Sequence, residues 1–252
     1  MDDWPDEAPE DQRPRRAGEI GPNELFEALR ALAGFNDNPF LVIQGQQLAL
    51  VDNLLNGMEE RALRGMADDE KPMTQRALLG ALSPMWIYAA YELLRTWRQR
   101  CEEIIRLAAS GGFDLKAQHL ERETNYHHHD RELRAEQLRT ARDNPEIVQR
   151  MKDDLTRTEI GFTIIEFIRV ALAKHEVSSK AKNKPIAFAP GLALPDRYTG
   201  SMVYELSNGG SIIGFHSRRD LAETIRGFPT APIPSKEDLD GFREYLRPPE
   251  VG

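Results

Sequence analysis

The sequence predicts a mainly α-helical protein, an up-and-down helical bundle followed by a small C-terminal β-hairpin. Three observations lead to this fold class. A long stripe of apolar residues at helical spacing begins after Ser83-Pro84, a second long helical segment follows Asn144-Pro145, and prolines and glycines prevent a continuous helix beyond residue 177. The 252 residues are 40% hydrophobic and 29% charged, which is sufficient for a buried core in a soluble protein.

The first helices are predicted from their apolar spacing and their end signals. Asn23-Glu24 opens a short helix that Gly34 ends, residues 46–66 form a second helix, and the apolar run at residues 41–43 is of ambiguous type. In the third helix Ser83 is the predicted N-cap, Pro84 takes the first helical position, and Gly111-Gly112 ends the helix. Its buried stripe comprises Trp86, Ala90, Leu93, Trp97, Cys101, Ile104 and Ala108.

The second half of the chain is predicted to change from helices to strands. Residues 114–143 are expected to form an exposed helix or helical hairpin, and residues 146–175 a long helix. Strands at 201–206 and 211–215 flank Asn208-Gly209-Gly210, which favours a hairpin turn; a short helix over 220–226 and a loosely attached Pro-rich tail follow. The predicted organisation is a disordered acidic tail (1–20), a helical bundle (21–178) and a hairpin appendage (179–252).

Composition and charge exclude several classes of protein. The single cysteine cannot build a disulfide framework or a thiolate-rich zinc site. The chain has no signal-peptide pattern and no run of about 18 apolar residues, so we expect a cytoplasmic protein without a membrane partner. The formal net charge is −8, but residues 1–19 hold seven acidic residues against three arginines, so much of that charge lies in the predicted tail.

Two features of the sequence are weak candidates for a functional site. His119, Glu123 and His127 are spaced four residues apart, but consecutive polar residues around them are more typical of a solvated helix face than of a metal site. Cys101 lies on the apolar stripe and is interpreted as a buried structural thiol. The sequence contains no Gly-rich phosphate loop, no Gly-x-Ser-x-Gly and no His-Glu-x-x-His motif.

The most informative segment is the end of the second long helix. Arg169 interrupts an apolar stretch, where a guanidinium needs an anion or an acidic partner; Glu92 and Glu166 are the candidate partners within the bundle. His175 lies near the predicted helix end. Between residues 166 and 184 five basic residues face two acidic ones. An arginine that holds a phosphate and a histidine that moves a proton suffice for metal-independent RNA cleavage; the alternative is an ion-paired arginine and a helix-capping histidine.

These residues resemble the HEPN superfamily, whose active members are metal-independent ribonucleases. The resemblance rests on Arg169 and His175 with five residues between them, on the apolar lead-in Ile164-Ile165-Glu166-Phe167-Ile168, and on Tyr91-Glu92-Leu93-Leu94-Arg95-Thr96-Trp97-Arg98 in an earlier helix. It covers about residues 40–180. Where active members commonly carry a polar residue directly after the arginine, this chain has Val170.

The resemblance implies an endoribonuclease of the kind found in bacterial toxin or antiviral defence systems. Arg169 would stabilise the scissile phosphate, His175 would act as general acid or base, and Lys174, Lys180 and Lys182 would guide the RNA backbone, with no cofactor or metal. It also implies a homodimer and allows a regulatory protein partner. The alternative is a catalytically silent module that binds a partner protein or a nucleotide. Arg197, Arg218 and Arg219 lie near the hairpin and could extend the RNA-facing surface; we favour instead a packing role, in which the open end of the bundle is covered by Val203, Leu206, Ile212, Ile213 and Phe215.

Overall fold

The computed structural model describes residues 15–67, 73–122, 129–173, 194–208 and 211–247. Its architecture is mainly helical with a small three-stranded antiparallel sheet near the C-terminus, which confirms the predicted fold class. The described elements, in chain order, are α1 (Glu24–Ala31), α2 (Pro39–Ala67), α3 (Met73–Ser110), α4 (Phe113–Glu121), α5 (His129–Asp143), α6 (Pro145–Arg157), α7 (Glu159–Ala173), β1 (Leu194–Pro195), β2 (Met202–Asn208), β3 (Ser211–Ser217), α8 (Arg218–Gly227) and α9 (Lys236–Tyr245).

Helices α2 and α3 form the central antiparallel pair. The ambiguous run at residues 41–43 is helical, because α2 begins at Pro39, where a proline suits the first helical turn. The prediction that α3 begins at Ser83-Pro84 is wrong: the helix starts ten residues earlier, and Pro84 lies inside it. A proline inside a helix crowds the carbonyl group of the residue four positions earlier, which here is Gly80. Ser83 and Trp86, on either side of Pro84, are buried, and their packing stabilises the helix at this position.

The predicted stripe of α3 forms the centre of the core. Its members from Trp86 to Ile104 are buried, whereas Ala108 is exposed, so the buried stripe ends one turn earlier than predicted. Both indole N–H groups find backbone acceptors: Trp86 Nε1 donates to the Leu48 carbonyl at 3.2 Å, and Trp97 Nε1 donates to the Ala33 carbonyl at 2.9 Å. These bonds satisfy the polar ends of the two largest core side chains and fix α2 and the end of α1 against α3.

The predicted helical hairpin over 114–143 is confirmed as α4 and α5, but the long helix predicted over 146–175 is divided. Thr158 separates α6 from α7; it is 1% exposed, and its hydroxyl donates to the Asp154 carbonyl at 2.8 Å. A β-branched residue whose side chain competes for the helix backbone is suited to such a break. Helix α7 packs against α3 and also contacts β2 of the sheet.

The sheet has the order β1-β2-β3, and its β2–β3 hairpin confirms the predicted strands. Helix α8 confirms the predicted short helix. The prediction of a loose C-terminal tail is wrong for residues 236–245, which form α9 behind an Ser235/Asp238 capping box. Tyr245 donates to the Ile213 carbonyl, so α9 is attached to β3.

The predicted acidic tail ends earlier than residue 20. Arg15 donates to Glu223 at 2.6 Å and to Glu24 at 2.8 Å, and Ala17–Glu19 form a 3₁₀ turn. These contacts attach residues 15–20 to α1 and α8. Residues 1–14 lie outside the described residues, as does the boundary at 178/179.

Candidate functional site around Arg169

Arg169 lies on the side of α7 that packs against α3. Its guanidinium carbon is 4.8 Å from the centroid of the Tyr91 ring, and its Nη2 atom is 3.6 Å from Glu92 Oε1. The Arg169 side chain keeps 35% of its surface exposed. Of the two carboxylates expected to pair with Arg169, Glu92 makes the ion pair, but the arginine is at the surface rather than buried.

Arg169 is the outer member of a four-layer stack. Its guanidinium covers Tyr91, the Tyr91 ring stacks on Phe162 with centroids 5.5 Å apart, and the Arg98 guanidinium lies 4.6 Å from the centroid of Phe162. The Tyr91 hydroxyl donates to Glu166 Oε1 at 3.0 Å, and burial together with this carboxylate raises the pKa of Tyr91. Each cation–π contact contributes about 0.5–2 kcal/mol. The stack therefore fixes the plane of Arg169 while one face stays open.

The charges around the stack balance. Glu92 binds Arg95 at 2.6 Å and Arg169 only at 3.6 Å, while Arg98 pairs with Glu159. The six charged members of the stack and its margin are Arg95, Arg98, Arg169, Glu92, Glu159 and Glu166. A guanidinium has five N–H donors. The described residues supply Arg169 with one long ion-pair contact, so most of its donors have no partner among those residues.

The other predicted site residues fall outside the described part of the chain. The described part of α7 ends at Ala173, directly before Lys174, and His175, Lys180 and Lys182 follow in residues 174–193. The predicted convergence of Arg169 and His175 therefore stays a prediction.

Two of the three arginines near the hairpin, Arg218 and Arg219, do not face solvent. Arg218 donates to Glu59 at 2.6 and 2.8 Å and to Asn56 at 2.6 Å, and it pairs with Asp52. Arg219 donates to Glu59 at 2.7 and 3.0 Å. Both arginines are almost completely buried, so an RNA-facing role for them is wrong. Of the strand residues expected to pack on the bundle, Leu206 is buried, whereas Phe215 is 61% exposed. Arg197 is exposed and lies over Tyr198.

We name Asp52, Glu59, Arg218 and Arg219 the buried ion cluster. Burial by itself would raise the pKa of Glu59, but the two guanidiniums outweigh it and hold that pKa below its usual range. The sequence contains a signal for this cluster: Asp52 and Glu59 are seven residues apart and therefore lie on one face of α2, and carboxylates on a buried helix face require cationic partners.

The described residues include Cys101 and part of the His119, Glu123 and His127 group. Cys101 is buried, its Sγ lies 3.7 Å from the Ala33 carbonyl, and burial raises its pKa to about 12, which confirms a structural thiol. Within the described ranges no group of three His, Cys, Asp or Glu side chains is arranged to hold a metal ion. His119 is exposed, whereas Glu123 and His127 belong to the undescribed residues 123–128.

A separate open groove of about 540 Å³ lies between the 3₁₀ turn and α2. Several polar side chains of its lining already have partners. Asn56 accepts a hydrogen bond from Arg218, and Arg64 pairs with Glu60 at 3.1 Å. The groove does not include Arg169 or its stack.

Comparison of the chain with protein-family models, with curated proteins and with solved structures gives no match in any of the three. Among the described residues, one helix is long and apolar enough to cross a membrane by length and composition alone. It covers Thr74–Ser110 of α3, with a mean hydropathy of 1.3 and 44% of the apolar window buried.

Proposed function

We propose that the protein is a HEPN-like RNA-binding protein that cleaves RNA without a metal, with Arg169 holding the phosphate and His175 transferring the proton. The observation that carries this proposal is the state of Arg169: its guanidinium is fixed on Tyr91, a third of its side chain is exposed, and its ion pair with Glu92 is long. A pre-oriented guanidinium with free donors matches two oxygens of a phosphate.

The chemistry needs only groups of this chain and of RNA. The ribose 2′-oxygen attacks the adjacent phosphorus, a new P–O2′ bond forms, and the P–O5′ bond breaks. One proton leaves the 2′-hydroxyl and one reaches the departing 5′-oxygen; His175 carries one of these transfers as general base or acid, and solvent water carries the other. Arg169 stabilises the charge that develops on the phosphate, and Lys174, Lys180 and Lys182 attract the backbone.

Glu92 is the competitor that RNA must displace from Arg169. Both side chains are partly exposed, at 46% for Glu92, so their ion pair contributes at most about 1 kcal/mol. Displacement is therefore compatible with micromolar or tighter RNA binding. Arg95 stays on Glu92 at 2.6 Å and keeps this carboxylate paired after Arg169 has turned to the phosphate.

The test is RNA cleavage by the purified full-length chain in the presence of EDTA. Wild type is expected to degrade tRNA or other RNA, and Arg169→Ala and His175→Ala are each expected to reduce the rate by at least about 100-fold. Arg64→Ala is the matched control, because Arg64 is an exposed arginine on α2 whose loss should leave the rate unchanged. Cleavage by both site variants at the wild-type rate would refute the proposal.

A second candidate is a catalytically silent module that binds a nucleotide or RNA through the same arginine. It is favoured by Val170, which replaces the polar residue of active relatives, and by the occupation of Arg169 by Glu92. This candidate predicts RNA binding that Arg169→Ala weakens, with no turnover in wild type. Binding and cleavage measured on the same preparations distinguish the two.

A further inference from the structure

Arg100 is a half-buried arginine of α3 whose guanidinium has no acceptor among the described residues. Within that part of the chain it makes no hydrogen bond and no ion pair, although a guanidinium has five N–H donors. Burial and the neighbouring guanidinium of Arg134 both lower the pKa of Arg100. A cation that is partly withdrawn from water and faces a like charge is costly unless an anion meets it, so the surroundings of Arg100 require an explanation.

Three cations around Arg100 share one paired carboxylate. Glu103 accepts a hydrogen bond from Arg134 at 2.6 Å and pairs with Lys116 at 3.3 Å. The other Nη atom of Arg134 donates to Gln137. Arg100, Arg134 and Lys116 thus carry three positive charges against the one negative charge of Glu103, which leaves an excess of two positive charges. This excess lies in a protein whose formal net charge is −8.

Arg100 and Arg134 line a narrow cleft between α5 and the start of α2, which we name the α2–α5 cleft. The positive end of the 29-residue helix α2 adds to the electrostatic potential there. Its first backbone groups do not supply the donors, because Pro39 has no N–H and the N–H of Phe40 donates to Asn38 Oδ1 at 3.0 Å. The donors for a ligand are therefore the arginine side chains.

The size of the α2–α5 cleft favours a compact anion. Its enclosed part measures about 10 Å³, which is room for one water-sized group. An oxygen atom of a tetrahedral anion fits such a space, whereas an aromatic ring or a sugar does not. The two carboxylates of the lining belong to Asp37 and Asp130, which are exposed residues, so water and salt screen their charges.

We propose that the α2–α5 cleft binds a phosphate group, either as inorganic phosphate or as the end of a small phosphomonoester. The planar guanidinium of Arg100 donates two parallel hydrogen bonds to two phosphate oxygens. Arg134 contributes its charge while its Nη atoms stay on Glu103 and Gln137. The phosphate dianion offsets the excess of two positive charges in the cluster.

The α2–α5 cleft is separate from the Arg169 stack. Arg98, which belongs to the stack, precedes Arg100 by two residues in α3, so the two side chains leave the helix about 200° apart. The described lining of the cleft includes no residue of α7, the helix that carries Arg169. Phosphate binding in the cleft and RNA cleavage at Arg169 are therefore measured independently, and either proposal can fail alone.

The test is isothermal titration calorimetry of the full-length chain with inorganic phosphate and with glycerol 3-phosphate, at constant ionic strength. Arg100→Gln is expected to raise the dissociation constant at least about tenfold, because charge-assisted hydrogen bonds are lost. Asp130→Asn is expected to lower it about two- to fivefold, because it removes a carboxylate that attracts Arg100 and repels phosphate. Arg106→Gln is the matched control, since Arg106 is an exposed arginine of the same helix. An Arg169→Ala variant that binds like wild type excludes the Arg169 stack as the source of the signal.

Thermal unfolding followed by circular dichroism separates a binding arginine from a structural one. In phosphate-free buffer the Tm of Arg100→Gln is expected to be at least that of wild type, because the variant removes a half-buried charge without an ion-pair partner. Added phosphate is expected to raise the Tm of wild type and of Arg106→Gln, but not that of Arg100→Gln. Tighter binding of glycerol 3-phosphate than of inorganic phosphate identifies a phosphomonoester as the ligand, and the reverse order identifies free phosphate.

Three results would overturn the proposal. The first is a wild type without saturable binding of either probe up to about 20 mM. The second is an Arg100→Gln variant that binds as tightly as wild type. The third is a Tm of Arg100→Gln below that of wild type in phosphate-free buffer, which would make Arg100 a structural partner of Asp130 instead.

Discussion

Glu59 is the carboxylate on which both buried arginines depend. It accepts two hydrogen bonds from Arg218, two from Arg219 and one from Ser201, at 2.6–3.0 Å. In a Glu59→Ala variant Arg218 keeps Asp52 and Asn56, but Arg219 keeps only a 3.3 Å contact to the Arg15 carbonyl. An uncompensated buried charge costs about 3–5 kcal/mol.

We therefore expect Glu59→Ala to lower the free energy of unfolding by about 4 kcal/mol and the Tm by roughly 10 °C. Urea and thermal unfolding followed by circular dichroism measure both. Glu60→Ala is the matched control, since this neighbouring carboxylate only pairs with the exposed Arg64, and it should cost less than about 1 kcal/mol. A loss below 1 kcal/mol for Glu59→Ala would refute the assignment of this cluster as the attachment of α8 to α2.

The same cluster predicts the pH dependence of stability. The pKa of Glu59 is lowered in the folded state, so ionised Glu59 contributes its full stability above the unfolded pKa of about 4.5 and loses it as the pH falls through the folded value. The difference in free energy of unfolding between wild type and Glu59→Gln should therefore be largest at about pH 6 and become smaller as the pH is lowered toward about 3. A difference that stays constant over this range would contradict the lowered pKa.

Three further predictions concern single side chains. Glu92→Gln should tighten RNA binding about two- to fivefold, because it removes the carboxylate that competes for Arg169, and fluorescence anisotropy against the Arg169→Ala variant measures it. Gly200→Ala should cost more than about 2 kcal/mol in urea unfolding, because Gly200 has a φ of 70° and a Cβ there would lie 2.2 Å from the Glu59 carbonyl oxygen. Cys101 should resist a thiol reagent at about pH 8 until the protein unfolds, because it is buried and its pKa is raised to about 12; rapid labelling of folded protein would contradict this.

Local signals predicted most of the secondary structure. The stripe from Trp86 to Ile104 and the strands on either side of Asn208-Gly209-Gly210 depend on neighbours within a few residues, and both predictions are confirmed. The failed predictions concern places where packing between distant residues outweighs local preference. Pro84 lies inside α3 although proline favours a helix start. The predicted loose tail instead contains α9, which is attached to β3 through Tyr245. The Ser235/Asp238 capping box was a local signal for α9 that the Pro-rich composition around it obscured.

In the candidate site, too, local signals predicted some features and the packing of distant residues determined the others. An arginine in an apolar helix predicts an acidic partner, and Glu92 fills that role for Arg169. The stack of Tyr91 on Phe162 could not be predicted, since it depends on how α7 lies against α3. The sequence thus indicated which groups seek a partner, but the geometry of their contact came from the packing of helices.

Arg169 and Arg218 illustrate why burial separates a structural arginine from a candidate binding arginine. Both lie next to apolar residues and both have carboxylate partners. Arg218 is fully buried and its donors are used by Glu59, Asp52 and Asn56, so a ligand could reach it only by dismantling the attachment of α8. Arg169 has one long contact at a partly exposed surface, where exchanging Glu92 for a phosphate costs at most about 1 kcal/mol. Because the two arginines differ in this exchange cost, substitution of Arg218 should mainly lower stability, whereas substitution of Arg169 should lower RNA affinity and lower the Tm far less.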